Sequence, residues 1–471
     1  MSRSNRSDDP QVHDLLGIGF GPSNLALAIA IREAAAPGRV DSAVFLERQP
    51  RFGWHRGMLL DDATMQVSFL KDLVTLRNPA SEFSFLCYLQ SRGRLIDFIN
   101  HKNLFPSRVE FHDYLEWAAA QVDDLVRYGH DVVDVRPVWR DGELDHYEVL
   151  AQAGPCSAAP VSYRARNLVL GVGLRPYLPD GITADTRVWH SRDLLPNLRD
   201  LVPSAPTRFV VVGAGQSAAE AVDHLHREFP AAEVCAVFSR YGYSPADDSS
   251  FANRIFDPAA VQEYFTAPAE VKDMMIAYHG NTNYSVVDQD LIDELYRRVY
   301  QEKVRGVERL RMLNLSRLVE TVRTPEGVRM VVESLVSNEK TVLDADVVVF
   351  ATGYRPVDPF ELLGEAAEGA CGTTPVGRWS TATTDCVPDR RCGPASTSKA
   401  APNTPTASPP RCSPTPPSGP PRSSTRSAPA PLTPSTPPTR PPTASPSTRE
   451  RPAPPSDRPT DADGRPMFAA R

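Results

Sequence analysis

The sequence predicts an α/β protein with two parallel-sheet units, the second inserted into the first. Three observations predict it. Up to about residue 379, apolar β-like runs alternate with amphipathic helical stretches, which is the pattern of α/β domains. A strand, a glycine turn and a helix follow one another twice, around Gly17–Leu25 and around Gly213–Glu220. Two similar pieces, 168–176 and 347–356, flank the second turn on either side.

The first turn follows a short apolar run and reads Gly17-Ile-Gly19-Phe-Gly21-Pro22-Ser-Asn-Leu25, before the helical stretch LALAIAIREAA. Glycines at such a turn let the backbone approach a pyrophosphate, which rests on the helix N-terminus. The last glycine, Gly21, falls one place early. Pro22 then opens the helix, where its missing N–H costs nothing. The next apolar run, 43–46, ends at Glu47, placed to accept the ribose hydroxyls of an adenosine. These features predict a Rossmann-like dinucleotide site.

The second turn places Gly213, Gly215, Gln216 and Ser217 after the strand 208–212, with Ala218 in the position of the third glycine. The following strand, 234–238, ends in Ser239-Arg240 and not in an acid. An acid there would accept a 2′-hydroxyl and repel a 2′-phosphate, whereas Ser and Arg do the reverse. NADPH is therefore expected over NADH.

Each flanking piece is a buried-looking strand, a glycine turn and an Arg-Pro exit, as if one carried the chain out and the other brought it back. The expected organisation is a disordered N-terminus (1–11) and the first part of an FAD domain (12–200). An inserted NADPH domain with substrate-contacting segments (205–340) and a return to the FAD domain (341–379) follow. After Trp379 the composition changes abruptly: more than half of the 46 prolines lie in the last hundred residues, among Ser, Thr, Ala and Arg. Such a segment cannot bury enough apolar surface to offset chain entropy, so 380–471 is expected to be a disordered proline-rich tail.

Composition excludes several classes. The net charge of −7 argues against a nucleic-acid partner, which needs a basic face. No apolar run approaches the roughly 18 residues of a membrane span. The polar N-terminus MSRSNRSDDPQVHD lacks the apolar centre of a secretory signal. The 7 cysteines form no CxxC pair, and Cys87, Cys156, Cys235 and Cys371 precede the tail. A cytoplasmic protein with reduced thiols and no metal site is expected.

Further segments carry a family resemblance. Phe52-Gly-Trp54-His55, Met65-Gln66-Val-Ser-Phe-Leu-Lys71-Asp72-Leu73, Asp247–Asn253, Asn281–Asp288 and Phe350-Ala-Thr352-Gly353-Tyr354, with Gly17–Leu25, resemble the siderophore N-hydroxylating flavin monooxygenases. The match runs from residue 12 to about 379 in family order. It is nearest to the L-ornithine N5-monooxygenases, with the L-lysine N6-monooxygenases as relatives. The resemblance implies N5-hydroxylation of L-ornithine with FAD, NADPH and O2, through a C4a-hydroperoxide of the flavin that the neutral amine attacks. It implies that Lys71 binds the substrate carboxylate, and that Gln66 contacts flavin and nicotinamide. Asn253 and Asn283 would hydrogen-bond the substrate, Asn283 near the reacting centre. Trp54, His55, Thr352, Gly353 and Tyr354 would join the cofactor sites, and the chain would form a homotetramer.

Two departures stand out. Ser244 occupies a position where the family often has arginine, and the closing segment of the family, resembling LQG-EHTHGLS-SLLSN, is absent as written. Read one base out of step with suitable wobble bases, however, Ser396–Cys412 gives L-H-L-Q-G-G-P-E-H-T-H-G-L-P-A-S-L. Ser380–Asp385 gives D-R-D-Y-R in the same frame. The expectation is a single-base deletion near Trp379 that scrambles everything after it. Three alternatives remain open: lysine N6-hydroxylation, a flavin-dependent reductase or Baeyer–Villiger-type oxygenase, and a non-catalytic nucleotide-binding protein left by a damaged C-terminal segment.

Overall fold

The computed structural model describes residues 11–34, 40–154, 159–201, 205–283 and 286–364. The expected disorder of 1–11 falls outside them but for Gln11. The proline-rich tail 380–471 and residues 365–379 of the expected return segment also lie outside the described residues.

The first sheet has six strands: β1 (Val12–Ile18), β2 (Ala43–Glu47), β3 (Val126–Tyr128), β4 (His130–Arg140), β5 (Glu143–Ala153) and β6 (Val161–Leu170). Their order is β3-β2-β1-β6-β5-β4. The first four run parallel, and β5 and β4 extend the sheet antiparallel. Alternation decides which face each residue covers. Leu16, Ile18, Val44 and Leu46 pack with Val135, Val149, Ala151 and Ala165. Phe45, on the opposite face, packs with Phe20 and with Leu25, Ala28 and Ile29 of the helix Pro22–Glu33.

The chain leaves through β7 (Leu174–Pro176) and builds β8 (Val188–His190), β9 (Arg208–Val212), β10 (Glu233–Val237) and β11 (Leu310–Leu313). An antiparallel meander of β12 (Ser316–Arg323), β13 (Val328–Ser334) and β14 (Lys340–Ala345) follows, and then β15 (Val347–Phe350). The second sheet is all parallel, in the order β11-β10-β9-β15-β8. The helix Gln216–Glu228 buries Ala218, Ala219, Ala221, Val222 and Leu225 against Phe209, Val211 and Val349. Finally β16 (Tyr354–Pro356) pairs antiparallel with β7, Tyr354 opposite Pro176 and Pro356 opposite Leu174. The helix Pro359–Leu363 then packs on β4, Leu362 and Leu363 joining the first sheet's cluster.

The α/β class with two Rossmann-like sheets is as the sequence predicts. The two flanking pieces are equivalent in space as well. Each strand lies beside the central strand of its sheet, β6 along β1 and β15 along β9, and their Arg-Pro exits pair with each other. Two strands fall across the expected boundaries: β8 lies before residue 200 and β15 after 341, yet both belong to the second sheet. A short strand buried on both faces reads the same in either sheet, and only long-range packing assigns it.

Candidate functional site

Both glycine turns form at the C-terminal ends of parallel strands, β1 and β9, where open α/β sheets bind ligands. In the first, Gly19 has φ +83° and donates its N–H to the Leu46 carbonyl at 2.8 Å. A Cβ there would run into the Gly171 carbonyl. In the second, Gly213 has φ +145°, bonds the Val237 carbonyl at 3.0 Å, and would press a Cβ onto the Ala351 carbonyl. Gly21 and Gly215 are the N-caps of the two helices, and neither cap carries a side-chain hydrogen bond.

This equivalence corrects the reading of the first motif. Gly19 and Gly21, not Gly17 and Gly19, correspond to Gly213 and Gly215. The third glycine position is then Asn24, the counterpart of Ala218. Asn24 is buried, and its Nδ2 donates to the Gly19 carbonyl at 2.6 Å. Room for it comes from Gly17 and Gly171, whose added Cβ atoms would fall 3.2 and 2.5 Å from Asn24 Nδ2. Sequence alone misses this because Gly17-x-Gly19 and Gly19-x-Gly21 both satisfy G-x-G.

The residues fit a dinucleotide. A Cβ on Gly21 would meet nothing within 4 Å, and its φ of −87° is open to any residue. Internal packing therefore does not require glycine there, whereas close approach of a phosphate to the first-turn amides does. Glu47 is buried at the end of β2. Its Oε2 accepts from Phe20 N–H at 2.7 Å and its Oε1 from Gln49 N–H at 2.8 Å. It pins the glycine turn, with spare lone pairs left for hydroxyls. Ser239 and Arg240 follow β10 directly beside the second turn, where Val237 is in register with Val212.

Residues far apart in sequence meet near these turns' loops and helices. Lys71, half-buried at the end of a short turn (Phe69–Lys71), points its Nζ 3.5 Å from Asn253 Oδ1 and 4.9 Å from the Phe256 ring centroid. Among the described residues no carboxylate pairs with Lys71. Asn253 is held in turn by its Nδ2, which donates to the Asp248 carbonyl at 2.6 Å. Lys71 and Asn253, both assigned to substrate by the family resemblance, thus lie side by side.

Gln66 Nε2 donates to Asp288 Oδ1 at 3.3 Å. Gln216 Nε2 donates to Asp288 Oδ2 at 3.0 Å and to Glu220 Oε1 at 2.9 Å, and Gln216 Oε1 accepts from Asp288 N–H at 2.8 Å. The side chain of Gln216 is thus committed to protein, and its backbone N–H is what it can offer a phosphate. Glu220 takes a bidentate pair from Arg108 at 2.8 and 2.7 Å, with side-chain exposures of 13% and 4% for Arg108 and Glu220. Removing one member of such a buried pair typically costs about 3–5 kcal/mol. Arg108, Glu220 and Asp288 escaped the sequence reading. Glu220, one turn after Gln216, and Asp288, closing the segment Asn281–Asp288, lie within motifs that the sequence reading singles out.

Thr352 Oγ1 donates to the Tyr177 carbonyl. The Gly353 carbonyl accepts from Tyr177 N–H at 2.9 Å and lies 2.9 Å from His190 Nε2. Tyr354 stacks edge-on against His190, centroids 5.0 Å apart. Gly353, at φ +83°, has nothing within 4 Å of where a Cβ would stand. Trp54 packs edge-on against His55, which has a left-handed backbone (φ 50°), and against Phe111. Asn283 ends the helix Ala269–Asn283, and its side chain lies outside what the structure describes. No helix among the described residues is long and apolar enough to cross a membrane.

Residues 11–356 match the family described as L-lysine 6-monooxygenase/L-ornithine 5-monooxygenase. The chain is 42% identical over 351 residues to the L-ornithine N(5)-monooxygenase of Burkholderia cepacia, covering 73% of this chain and 78% of that protein. Among solved structures, it is similar to the ornithine N-hydroxylase of Kutzneria sp. 744 with reduced FAD, NADP+ and L-ornithine. The TM-score is 0.74 at 46% identity, covering 79% of this chain and 87% of that one. L-lysine 6-monooxygenase from Pseudomonas syringae gives a TM-score of 0.64 at 33% identity, covering 73% and 82%.

Proposed function

Because the chain belongs to the L-lysine 6-monooxygenase/L-ornithine 5-monooxygenase family, we propose that it hydroxylates N5 of L-ornithine, with FAD and NADPH as cofactors and O2 as co-substrate. The observation that carries the substrate reading is the meeting of Lys71 with Asn253. A half-buried cation beside a neutral amide suits an α-carboxylate, which it can take up without first breaking an ion pair. The amide orients the ligand without adding charge. Held by that end, the amino acid extends its side-chain amine away from Lys71.

The first-turn amides after Gly19 and Gly21, with Pro22 opening the helix, would hold the FAD pyrophosphate, and Glu47 its ribose. Trp54, His55, Thr352, Gly353 and Tyr354 would complete that site. Gly213, Gly215 and Ser217 would hold NADPH, with Arg240 on its 2′-phosphate and Gln66 between flavin and nicotinamide. Bound flavin supplies the redox chemistry; the protein orients the amine and excludes water.

Two assays test this reading. Purified chain with FAD, NADPH and O2 is offered L-ornithine or L-lysine, and N5-hydroxyornithine and N6-hydroxylysine are measured by mass spectrometry. Ornithine is expected to win, by a margin that one methylene limits to roughly 10- to 200-fold. A lysine product in excess would overturn the substrate, and NADPH oxidation without either product would overturn the hydroxylase. In the second assay, Arg240→Ala is expected to raise the KM for NADPH selectively. An equal effect on NADH would remove Arg240 from the 2′-phosphate.

A further inference from the structure

Asp288 stands at the N-cap of the helix Gln289–Val304 but makes no capping hydrogen bond to it. An aspartate at this position ordinarily turns an oxygen onto the helix's own first amides, a contact worth about 1 kcal/mol. Here both oxygens turn away, Oδ1 to Gln66 Nε2 at 3.3 Å and Oδ2 to Gln216 Nε2 at 3.0 Å. The Asp288 N–H closes a ring by donating to Gln216 Oε1 at 2.8 Å, so the Gln216 amide is gripped by both ends. One residue therefore ties three segments: the loop carrying Gln66, the first turn of the helix Gln216–Glu228, and the chain that follows Asn283.

We propose that Asp288 is a positioning residue for the nicotinamide nucleotide, setting the first turn of the helix Gln216–Glu228 at a fixed place relative to Gln66. This rests on reading the turn Gly213–Ser217 as the NADPH turn. The geometry favours a positioning role over a cap, because the local helix bond is forgone for two long-range ones. Partial burial pushes the Asp288 carboxyl above the usual aspartate range, and the charge of Glu220 adds to this. The hydrogen bonds from Gln66 and Gln216 and the charge of Arg108 pull the other way. Glu220 and Arg108 are the charged groups that face it. Only the carboxylate accepts from both glutamines at once; the protonated acid loses an acceptor.

The test uses the full chain loaded with FAD and the variant Asp288→Asn, which keeps shape but leaves one glutamine donor opposite a donor. NADP+ binding is measured by calorimetry from neutral pH downward, together with FAD content and the thermal midpoint. At neutral pH the variant is expected to bind NADP+ about tenfold more weakly, the loss of one charge-assisted hydrogen bond. FAD content and midpoint should stay near those of the native chain. As pH falls, native affinity should drop towards that of the variant, in a window above the ordinary titration of aspartate. Comparing the two chains on one nucleotide cancels the titration of the 2′-phosphate. Equal affinity at every pH would overturn the proposal while leaving the nucleotide reading intact. Parallel loss of FAD, midpoint and NADP+ affinity would make Asp288 a folding residue only, and absence of NADP+ binding to the native chain would overturn both readings.

Discussion

Lys71→Ala is expected to weaken L-ornithine binding roughly 10- to 150-fold while reduction of bound FAD by NADPH survives. The magnitude follows from losing a charge-assisted contact to a carboxylate. The selectivity follows from position: Lys71 contacts Asn253 and the ring of Phe256, and neither lies in a glycine turn. Ornithine affinity is read by titration and flavin reduction by anaerobic stopped flow. Lys71→Met separates charge from packing, since it retains the apolar stem against Phe256. Both variants should lose affinity to a similar degree. If Lys71→Ala instead loses FAD, the lysine is structural and the substrate site lies elsewhere.

Restoring one base near the Trp379 codon is expected to raise FAD retention and ornithine hydroxylation together, and by more than any point substitution changes them. The family match stops at residue 356, whereas the shifted frame supplies family-like stretches in order beyond Ser380. A segment that contributes to both the flavin and the substrate pocket must move both readouts. Resequencing the gene comes first, and an intact verified frame would sink the idea. The restored and original chains are then compared for bound flavin per chain and for hydroxylated product per NADPH consumed. Product rising without flavin retention would confine the restored segment to the substrate side.

Much of the architecture was legible because its signals are local. A positive φ beside a neighbouring carbonyl leaves glycine as the residue that fits, so Gly19 and Gly213 announce themselves. Buried parallel strands leave unbroken apolar runs, as in β9 and β15. What stayed hidden depends on contacts between distant parts of the chain. Arg108 reaches Glu220 across 112 residues, and Gln66 reaches Asp288 across 222. No periodicity or spacing encodes either pair. Lys71 and Asn253, 182 residues apart, came together in the sequence reading only through family resemblance. The register of the first glycine motif was also ambiguous in one dimension, and it took the helix cap at Gly21 to settle it.

Asn24 and its two glycine neighbours constrain how this turn can change over generations. Alanine at position 171 collides with the Asn24 amide, and alanine at 17 collides with the ring of Phe45 and crowds the same amide. Shortening Asn24 first empties the space that a methyl group at 171 would occupy, at the expense of its bond to the Gly19 carbonyl. The reverse order passes through a clash. Substitutions here are therefore history-dependent: a path that is open in one direction is closed in the other. A library that varies one position at a time is expected to disfavour alanine at 171, whereas a paired library should recover it more readily where residue 24 has already become small.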